Sequence, residues 1–240
     1  MPAVLKDAIE RSYQKVGWDL RNSESEKGVF PTFFDLLDIL PGVIEESHYS
    51  KDTQSDYVGA LCTRVKSLTN GIYGSVLCAE DALSDAEMFD QNVIVDLSRV
   101  GSMETKSLLM GILVMKLQEY RMCSSGMNSR LRHVTVLEEA HNLLRKTSAE
   151  QSQEGANLQG KSVEMLANAI AEMRTYGEGF IIADQAPGLL DMSVIRNTNT
   201  KIILRLPDEE DRKLVGKSAA LKEAQIVELS KLPRGVAAVY

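Results

Sequence analysis

The sequence predicts an α/β protein whose sheet is mainly parallel, with helices on both faces. From residue 92 onward, short runs of apolar and β-branched residues alternate with helical stretches, which is the pattern of parallel strands joined by crossover helices. The residues before this point instead carry apolar side chains at helical spacing. We therefore predict a helical subdomain at 1–91, followed by the sheet domain at 92–240.

The helical subdomain is predicted from three amphipathic stretches. "PAVLKDAIERSYQKVG" should form a helix that stops at Gly17, and "PTFFDLLDIL" should form one that starts at Pro31 and ends before Pro41. "SDYVGALCTRVKSLTNG" is a third predicted helix, with Gly71 as its C-cap. The earliest stretch that suggests a strand is "GSVLCA" at 74–79.

The sheet domain is predicted to contain four strands with helices between them. A long helix at about 103–122 separates the first two strands, and "SVEMLANAIAEMRTYG" separates the second from the third. Two more helices follow the fourth strand, before a last apolar stretch, "GVAAVY". The predicted strands are "NVIVDLS" (92–98), "HVTVLEEAH" (133–141), "EGFIIADQ" (178–185) and "NTKIILRL" (199–206).

Composition argues against several classes of protein. The formal net charge of -7 gives no general attraction for nucleic acid, so any DNA contact must use local basic patches or an assembly that concentrates them. The three cysteines have no C-x-x-C spacing, which indicates reduced thiols in the cytoplasm, and the three histidines lack H-x-x-x-H spacing for zinc. The longest apolar run, 107–117, includes Lys116 and is too short to cross a membrane, and the N-terminal stretch is unlike a signal peptide.

The carboxyl ends of two predicted strands carry the residues that suggest chemistry. Glu138 and Glu139 end one strand, Asp184 and Gln185 end the next, and ligands of open α/β sheets bind at this edge. Two adjacent acids are costly to bury unpaired, and a hydrated Mg²⁺ ion is a suitable partner. One acid could then hold the water shell of the metal while the other activates water for attack on a nucleoside triphosphate, with the neutral amide of Gln185 on the γ-phosphate. The alternative is a solvated strand end before a helix N-terminus, with Asp184 only forming a turn.

Arg174 falls near the end of the helix that precedes the third strand, in "AEMRTYGEG". Its guanidinium could reach a phosphate in its own subunit or in a neighbouring one. The alternative is an arginine that complements the dipole at the helix C-terminus.

These motifs, taken in order, resemble a known family. "HVTVLEEAHNLL", "AEMRTYGEGFIIADQAPGLLDMSVIRNTNTKIILRL" and the later "DRKLV" resemble the C-terminal half of the HerA–FtsK superfamily of motor ATPases, above all its HerA-like, DUF87-type members. The likeness covers about residues 92–240, and residues 1–91 resemble the helical insertion of these proteins. The resemblance implies an incomplete RecA-like P-loop NTPase sheet with ATP and Mg²⁺ as cofactors. It also implies a homohexameric ring that moves double-stranded DNA, a nuclease as partner, and no membrane.

The resemblance implies a role for each motif residue. Glu138 corresponds to the acid that holds magnesium, Glu139 to the catalytic base and Gln185 to the sensor. Arg174 corresponds to the arginine that acts on the γ-phosphate. One departure concerns Glu138, because the family often has Asp there, and the extra methylene moves the carboxylate.

Arg196 and Arg205 lie on either side of the start of the fourth predicted strand. The resemblance implies that an arginine acting on the nucleotide of a neighbouring subunit lies in this part of the chain. The alternative for both residues is solvation at the surface or an ion pair at the edge of the core.

"GANLQGKS" at 155–162 matches the phosphate-loop pattern G-x-x-x-x-G-K-[ST], but its context argues against that function. A phosphate loop follows a buried strand directly, whereas the preceding "RKTSAEQSQE" is polar. The stretch also follows the acid-bearing strand, and the N-K-x-D motif of a permuted GTPase is absent. We predict that it begins a helix and that the phosphate loop lies outside these residues. This chain alone should bind ATP weakly and should not hydrolyse it, either as part of a longer ATPase or as a short protein that has lost ATP binding.

Two other functions remain open at this stage. A non-enzymatic RecA-like module for oligomerisation or protein interaction would make the strand-end acids structural. A metal-dependent hydrolase would use Glu138 and Glu139 on phosphoesters without ATP.

Overall fold

The computed structural model describes residues 2–79, 82–146 and 155–240, and the side chains of Ile72 and of residues 155–161 lie outside this description. The chain divides into two compact units, Met1–Ala82 and Leu83–Tyr240. The described part of the first unit contains helices α1 (Pro2–Lys15), α2 (Phe33–Glu46), α3 (Lys51–Tyr57), α4 (Thr63–Thr69) and α5 (Gly71–Leu77), a π-helical turn at Val58–Cys62, and strands β1 (Trp18–Asp19) and β2 (Glu24–Ser25). The second contains helices α6 (Asp85–Phe89), α7 (Met103–Ser124), α8 (Gly155–Met173), α9 (Met192–Asn197), α10 (Glu209–Ser218) and α11 (Glu223–Glu228), and strands β3 (His133–Glu138), β4 (Glu178–Ala183), β5 (Ile202–Ile203) and β6 (Ala238–Val239).

The first unit is largely helical, as predicted. Gly17, which follows α1, has a φ of 95°, as a helix stop requires. Helix α2 continues through Pro41, so the predicted end before this proline is wrong. Proline removes one hydrogen bond of the helix, but Val43 and Ile44 beyond it are 4% and 0% exposed in the core of this unit. Their burial favours continuation of the helix over its interruption.

Two other predictions for this unit need correction. The third predicted helix is divided into α3, the π-helical turn and α4. Gly71 has the φ of 58° expected of a C-cap, but a new helix, α5, starts at that same residue. The strand predicted at 74–79 is therefore wrong, since most of it lies in α5. A short apolar run does not by itself distinguish a strand from a helix.

The second unit is built on the parallel pair of β3 and β4. Their register runs from His133 opposite Glu178 to Glu138 opposite Ala183. Helix α8 lies between them in the chain, which gives the predicted β–α–β order. Helices α7, α8 and α9 contribute to one core together with the inward-facing side chains of the pair, such as Leu137 and Ile182. The mixed α/β class is confirmed.

The opposite face of this strand pair is exposed. Val134 and Val136 of β3 are 41% and 54% exposed, and Ile181 of β4 is 54% exposed. These three side chains alternate with those that enter the core, so they belong to the other face of the sheet. Helices were predicted on both faces, but among the described residues they cover one face of this pair.

The first and fourth predicted strands differ from expectation. Residues 92–97 form no ladder with any other described residue, and Ile94 is 95% exposed. The prediction of a strand at 92–98 is thus not met, because a strand also requires a partner edge, which the local pattern does not encode. The fourth is reduced to β5, which pairs with β6 in antiparallel orientation. No helix in the described part of the chain combines the length and the apolar character needed to cross a bilayer.

A buried ion pair ties the long helix to the strands. Arg121 of α7 is 5% exposed and Glu178 of β4 is 1% exposed, and the guanidinium Nε donates to the carboxylate at 2.9 Å. Thr135 and His133 of β3 contact the second carboxylate oxygen of Glu178 at 2.7 and 2.8 Å. Arg121 also donates to Asp90 at 2.6 Å and to the Phe89 carbonyl at the end of α6. Each buried charge is therefore paired and hydrogen-bonded.

We predict that Arg121→Leu destabilises the second unit. The substitution leaves the Glu178 carboxylate buried without its countercharge, which should lower the free energy of unfolding by about 3–5 kcal/mol. Hydrogen exchange measured by mass spectrometry on peptides from β3 and β4 would report the loss. Lys213→Met, which removes an exposed ion pair with Glu209, should leave the free energy of unfolding nearly unchanged, because solvent screens such a pair. An equal effect of the two variants would contradict the prediction.

We also predict that Asp90 contributes to the stability of the fold and that this contribution is lost in acid. The hydrogen bond from Tyr120 and the contact with Arg121 lower the pKa of this carboxyl below its ordinary value of 3.8. A lowered folded-state pKa gives stability that is complete above pH 3.8 and is lost as the pH falls below it. Asp90→Asn should therefore reduce the loss of stability in this range, measured as unfolding midpoints against pH. Glu119→Gln, at an exposed acid of α7, is the control and should leave that dependence unchanged.

Candidate functional site

The candidate site lies at the carboxyl edge of the parallel pair. The register places Glu138 opposite Ala183, so the residues that follow the two strands emerge side by side. The Gln185 amide Nε2 donates to Glu139 Oε1 at 2.9 Å. The sequence therefore predicted correctly that "VLEE" and "IIADQ" end at the same edge of one sheet.

Glu139 adopts a left-handed backbone conformation, with φ of 50° and ψ of 48°. This conformation is uncommon for a residue with a Cβ atom, and here it ends β3 and begins a 3₁₀ turn at Ala140–Asn142. The backbone N–H and the side-chain amide of Asn142 both donate to the Glu139 carbonyl at 2.9 Å. These bonds hold the turn, so the Glu139 carboxylate points to Gln185 from a fixed backbone.

Asp184 is the buried acid of the site. Its side chain is 3% exposed, and Oδ2 accepts from the backbone N–H of His141 at 2.8 Å. The same oxygen is 2.9 Å from His141 Nδ1, while Oδ1 accepts from the Ala186 N–H at 2.9 Å. Three donors therefore satisfy this carboxylate within the protein, and Asp184 fastens the turn after β3 to the turn after β4.

Glu139, His141 and Asp184 form a group that could hold a metal ion. Their ligand atoms lie within 4.8 Å of one another, and His141 Nδ1 is 3.5 Å from Glu139 Oε2. One imidazole nitrogen and two carboxylates suit a divalent transition metal more than Mg²⁺, which prefers oxygen ligands. Binding through Nδ1 would replace the hydrogen bond to Asp184, so the same atoms also form a complete network without a metal.

Glu138, the predicted magnesium acid, lies apart from this group. As the last residue of β3 it is exposed on the same face as Val134 and Val136. It makes no hydrogen bond or ion pair with any described residue, and it is not a member of the metal-binding group. The two adjacent acids thus have different environments: Glu139 is held by Gln185, and Glu138 is free to take a ligand in solvent.

Arg174 lies at the opposite, amino edge of the strand pair. Helix α8 runs back from the carboxyl edge, and Arg174 begins the 3₁₀ turn that leads into Glu178 at the start of β4. A strand of six residues separates this edge from Gln185, which corresponds to about 20 Å. The structure therefore does not bring Arg174 to the carboxylates of its own chain.

The remaining predicted arginines are exposed and unpaired in the described part of the chain. Arg196 is in the last turn of α9, and Arg205 follows β5. Neither residue forms a hydrogen bond or ion pair with Glu139 or Gln185.

The sequence reasoning missed His141 as a member of the site and assigned Asp184 no contact. His141 follows Glu139 by two residues, and its partner Asp184 is 43 positions further along the chain. The strand-end position of Asp184 was the available signal, because it places the acid at the same edge as "EEAH". The buried Oδ1 of Asn142, which has no hydrogen-bond partner among the described residues, had no signal in the sequence.

"GANLQGKS" begins a helix, as predicted. The backbone is helical from Gly155, the first residue of α8, whereas a phosphate loop would wrap the anion before its helix starts. The strand that should precede such a loop would fall within 147–154, which lie outside the described residues. Phosphate binding by Lys161 stays untested, since its side chain is also outside them.

A cleft of about 430 Å³ adjoins the site beyond Gln185. Its rim includes Gly188, whose N–H donates to Asp211 Oδ1 at 2.8 Å, and the acidic start of α10. Among the described residues that line it, Lys146 is the single basic one, against three acids. Carboxylates repel phosphate, so this cleft is a poor place for a nucleotide.

Comparisons with known proteins do not assign this chain to a family. No model of a known protein family matches this sequence, and no curated protein is significantly similar to it.

We predict opposite effects of glycine at the two adjacent acids. Glu139→Gly should be more stable than Glu139→Ala by about 1 kcal/mol, because glycine removes the strain of the left-handed conformation. At Glu138, where the backbone belongs to β3, the order should reverse, with Ala more stable than Gly by about 0.5–1 kcal/mol. Urea unfolding of the four variants, followed by far-ultraviolet circular dichroism, measures both differences. The same order at both positions would show that the turn does not need the left-handed backbone.

Proposed function

We propose that this chain is the Walker B half of a RecA-like, HerA-type motor ATPase that couples ATP hydrolysis to the movement of double-stranded DNA. The observation that carries the proposal is the hydrogen bond between Gln185 and Glu139 across the ends of adjacent parallel strands. An acid and a neutral amide at this edge are the groups that an attacking water and a γ-phosphate require.

In the proposed reaction Glu139 is the general base. Its carboxylate is half exposed and anchored by one oxygen on Gln185, so the other oxygen remains able to orient and deprotonate a water. Gln185 can also donate to the γ-phosphate without adding negative charge. Glu138, exposed and unpaired beside it, is the residue proposed to hold the water shell of Mg²⁺. Bound Mg²⁺ would neutralise charge that develops on the phosphates.

The proposed assembly is a homohexameric ring around double-stranded DNA, with a nuclease as a further partner. In such a ring, an arginine from the neighbouring subunit would complete the charge stabilisation. Arg196 and Arg205 are proposed for this role because both guanidinium groups are exposed and unpaired in the described part of the chain. Arg174, which lies the length of β4 away from the carboxylates of its own subunit, is proposed to act on the γ-phosphate bound by a neighbouring subunit.

A second function is favoured by the completeness of the polar network. Asp184 has three donors and Glu139 accepts a hydrogen bond from Gln185, so both acids are held without a ligand. A RecA-like module that acts in oligomerisation or protein interaction would use the same contacts only to hold two turns together.

We predict that the 240-residue chain alone shows no ATP turnover above background. In the natural polypeptide that carries this sequence, Glu139→Gln should lower ATP turnover by at least about 100-fold, because it removes the general base while keeping the shape of the side chain. Steady-state phosphate release at saturating Mg·ATP measures both results.

Glu119→Gln, which makes the same chemical change at an exposed acid on α7, is the matched control and should keep full turnover. Turnover by the 240-residue chain that Glu139→Gln abolishes would show that a phosphate site lies within these residues. Absence of Mg²⁺-dependent nucleotide binding by the natural polypeptide would instead support the non-catalytic module.

A further inference from the structure

A groove of about 520 Å³ lies between helices α7 and α8 of the second unit. Both helices contribute to its lining, which consists of Met115, Gln118, Glu164, Met165, Asn168, Ala169 and Glu172. None of these residues belongs to the candidate site, whose residues follow β3 and β4. The groove is therefore a separate surface, which we call the α7–α8 groove.

The apolar part of the α7–α8 groove combines a small residue with two methionines. Ala169 is the buried residue of the lining, at 5% exposed, and Met165, one helical turn earlier, is 54% exposed. Met115 belongs to the other helix. Methionine is flexible and polarisable, and it is frequent at surfaces that accept different apolar side chains. A small residue beside two methionines can therefore receive a large apolar side chain from a partner.

The polar part of the groove is a row of side chains along α8. Glu164, Asn168 and Glu172 are all exposed and follow one another at intervals of four residues, so they lie on one side of the helix. The row is about 12 Å long, because each helical residue adds about 1.5 Å. Glu172 accepts a hydrogen bond from Gln118 of α7 at 3.2 Å, whereas Glu164 forms no hydrogen bond or ion pair with any other described residue.

The lining, as far as the structure describes it, holds two glutamates and neither lysine nor arginine. Lys116 follows Met115 on α7, but its ammonium group pairs with Asp85 at 3.1 Å and is not part of the lining. The negative charge of the groove is thus uncompensated among these residues. Such a surface repels anions and attracts a partner with cationic side chains.

We propose that the α7–α8 groove binds an amphipathic helix of a partner protein, with Lys or Arg on both sides of an apolar stripe. A third helix fits the groove between two packed helices, and apolar anchors on one face of such a helix are the usual basis of recognition. The apolar stripe packs on Ala169 and the methionines, while the cations pair with Glu164 and Glu172. These two acids are two helical turns apart, so the cations of the partner should have the same spacing.

The test is binding of a labelled synthetic helix to the purified 240-residue chain, measured by fluorescence anisotropy at low salt. The probe is an alanine-rich peptide of about 20 residues with leucines along one stripe and two lysines about eight positions apart. The variant Glu164→Lys, Glu172→Lys should bind this basic helix at least about tenfold more weakly, because both attractive contacts become repulsive. Met165→Gln should weaken binding about threefold and leave its salt dependence unchanged, since only apolar contact is lost.

A second probe, in which glutamates replace the two lysines, tests the complementarity of charge directly. This acidic helix should bind the variant Glu164→Lys, Glu172→Lys at least about tenfold more tightly than it binds the unaltered chain. A variant that fails to fold cannot produce this gain. The matched control is Glu104→Lys, Glu223→Lys, which makes the same change of charge at exposed acids outside the groove and should keep the affinity for the basic helix.

Three results would overturn the proposal: no binding of the basic helix by the unaltered chain, equal affinity for the basic and acidic helices, or equal losses in the groove variant and its control. Self-association that Glu164→Lys, Glu172→Lys abolishes in sedimentation, without binding of the basic helix, would overturn it in favour of a second copy of the chain. The assay uses neither nucleotide nor DNA. Its failure would leave the assignment of Glu139 and Gln185 intact, and a failure of ATP turnover would leave the α7–α8 groove intact.

Discussion

The buried ion pair between Arg121 and Glu178 is the interaction on which the second unit depends. It joins a helix to a strand that lies 57 residues further along the chain, and it also draws in His133 and Thr135 of β3. Charges that leave water must be matched by both countercharge and hydrogen bonds, so the four groups tolerate little displacement. Because Arg121 also binds the Phe89 carbonyl, the same pair fixes the end of α6. The relative position of α6, α7, β3 and β4 is therefore determined electrostatically as well as by the apolar core.

That fixed strand pair gives the two edges of the sheet opposite chemical character. At the carboxyl edge, Glu139 and Asp184 are held by amide and imidazole groups, and Glu138 is free. At the amino edge, the exposed charges are guanidinium groups. Parallel strands make this separation possible, because every strand presents the same end to the same edge. An antiparallel pair would mix the two sets of residues.

The parts of the fold that follow from local pattern could be predicted from the sequence. Helix α7 is a long apolar stretch, helix α8 is amphipathic, and β3 and β4 are short apolar runs, so all four could be recognised locally, and the acid and amide at the carboxyl edge followed from strand direction. Pro41 was misjudged because the burial of Val43 and Ile44, which keeps α2 continuous, is a tertiary effect. Residues 92–97 pair with no other described strand, because pairing depends on a partner edge rather than on local propensity. The contact of His141 with Asp184 and the left-handed Glu139 also depend on distant parts of the chain.

The long crossover between β3 and β4 has a kinetic consequence. Val134 and Gly179 are paired in the sheet but separated by 45 positions in the sequence, so a large loop must close before the ladder gains its hydrogen bonds. Helices α7 and α8 are local structures and can form earlier. The bond between Glu139 and Gln185, which spans a similar separation, can form only after the strands align. During synthesis, the strand edges and the core side chains Leu137 and Ile182 would stay exposed until that closure, which makes this step the one most open to aggregation.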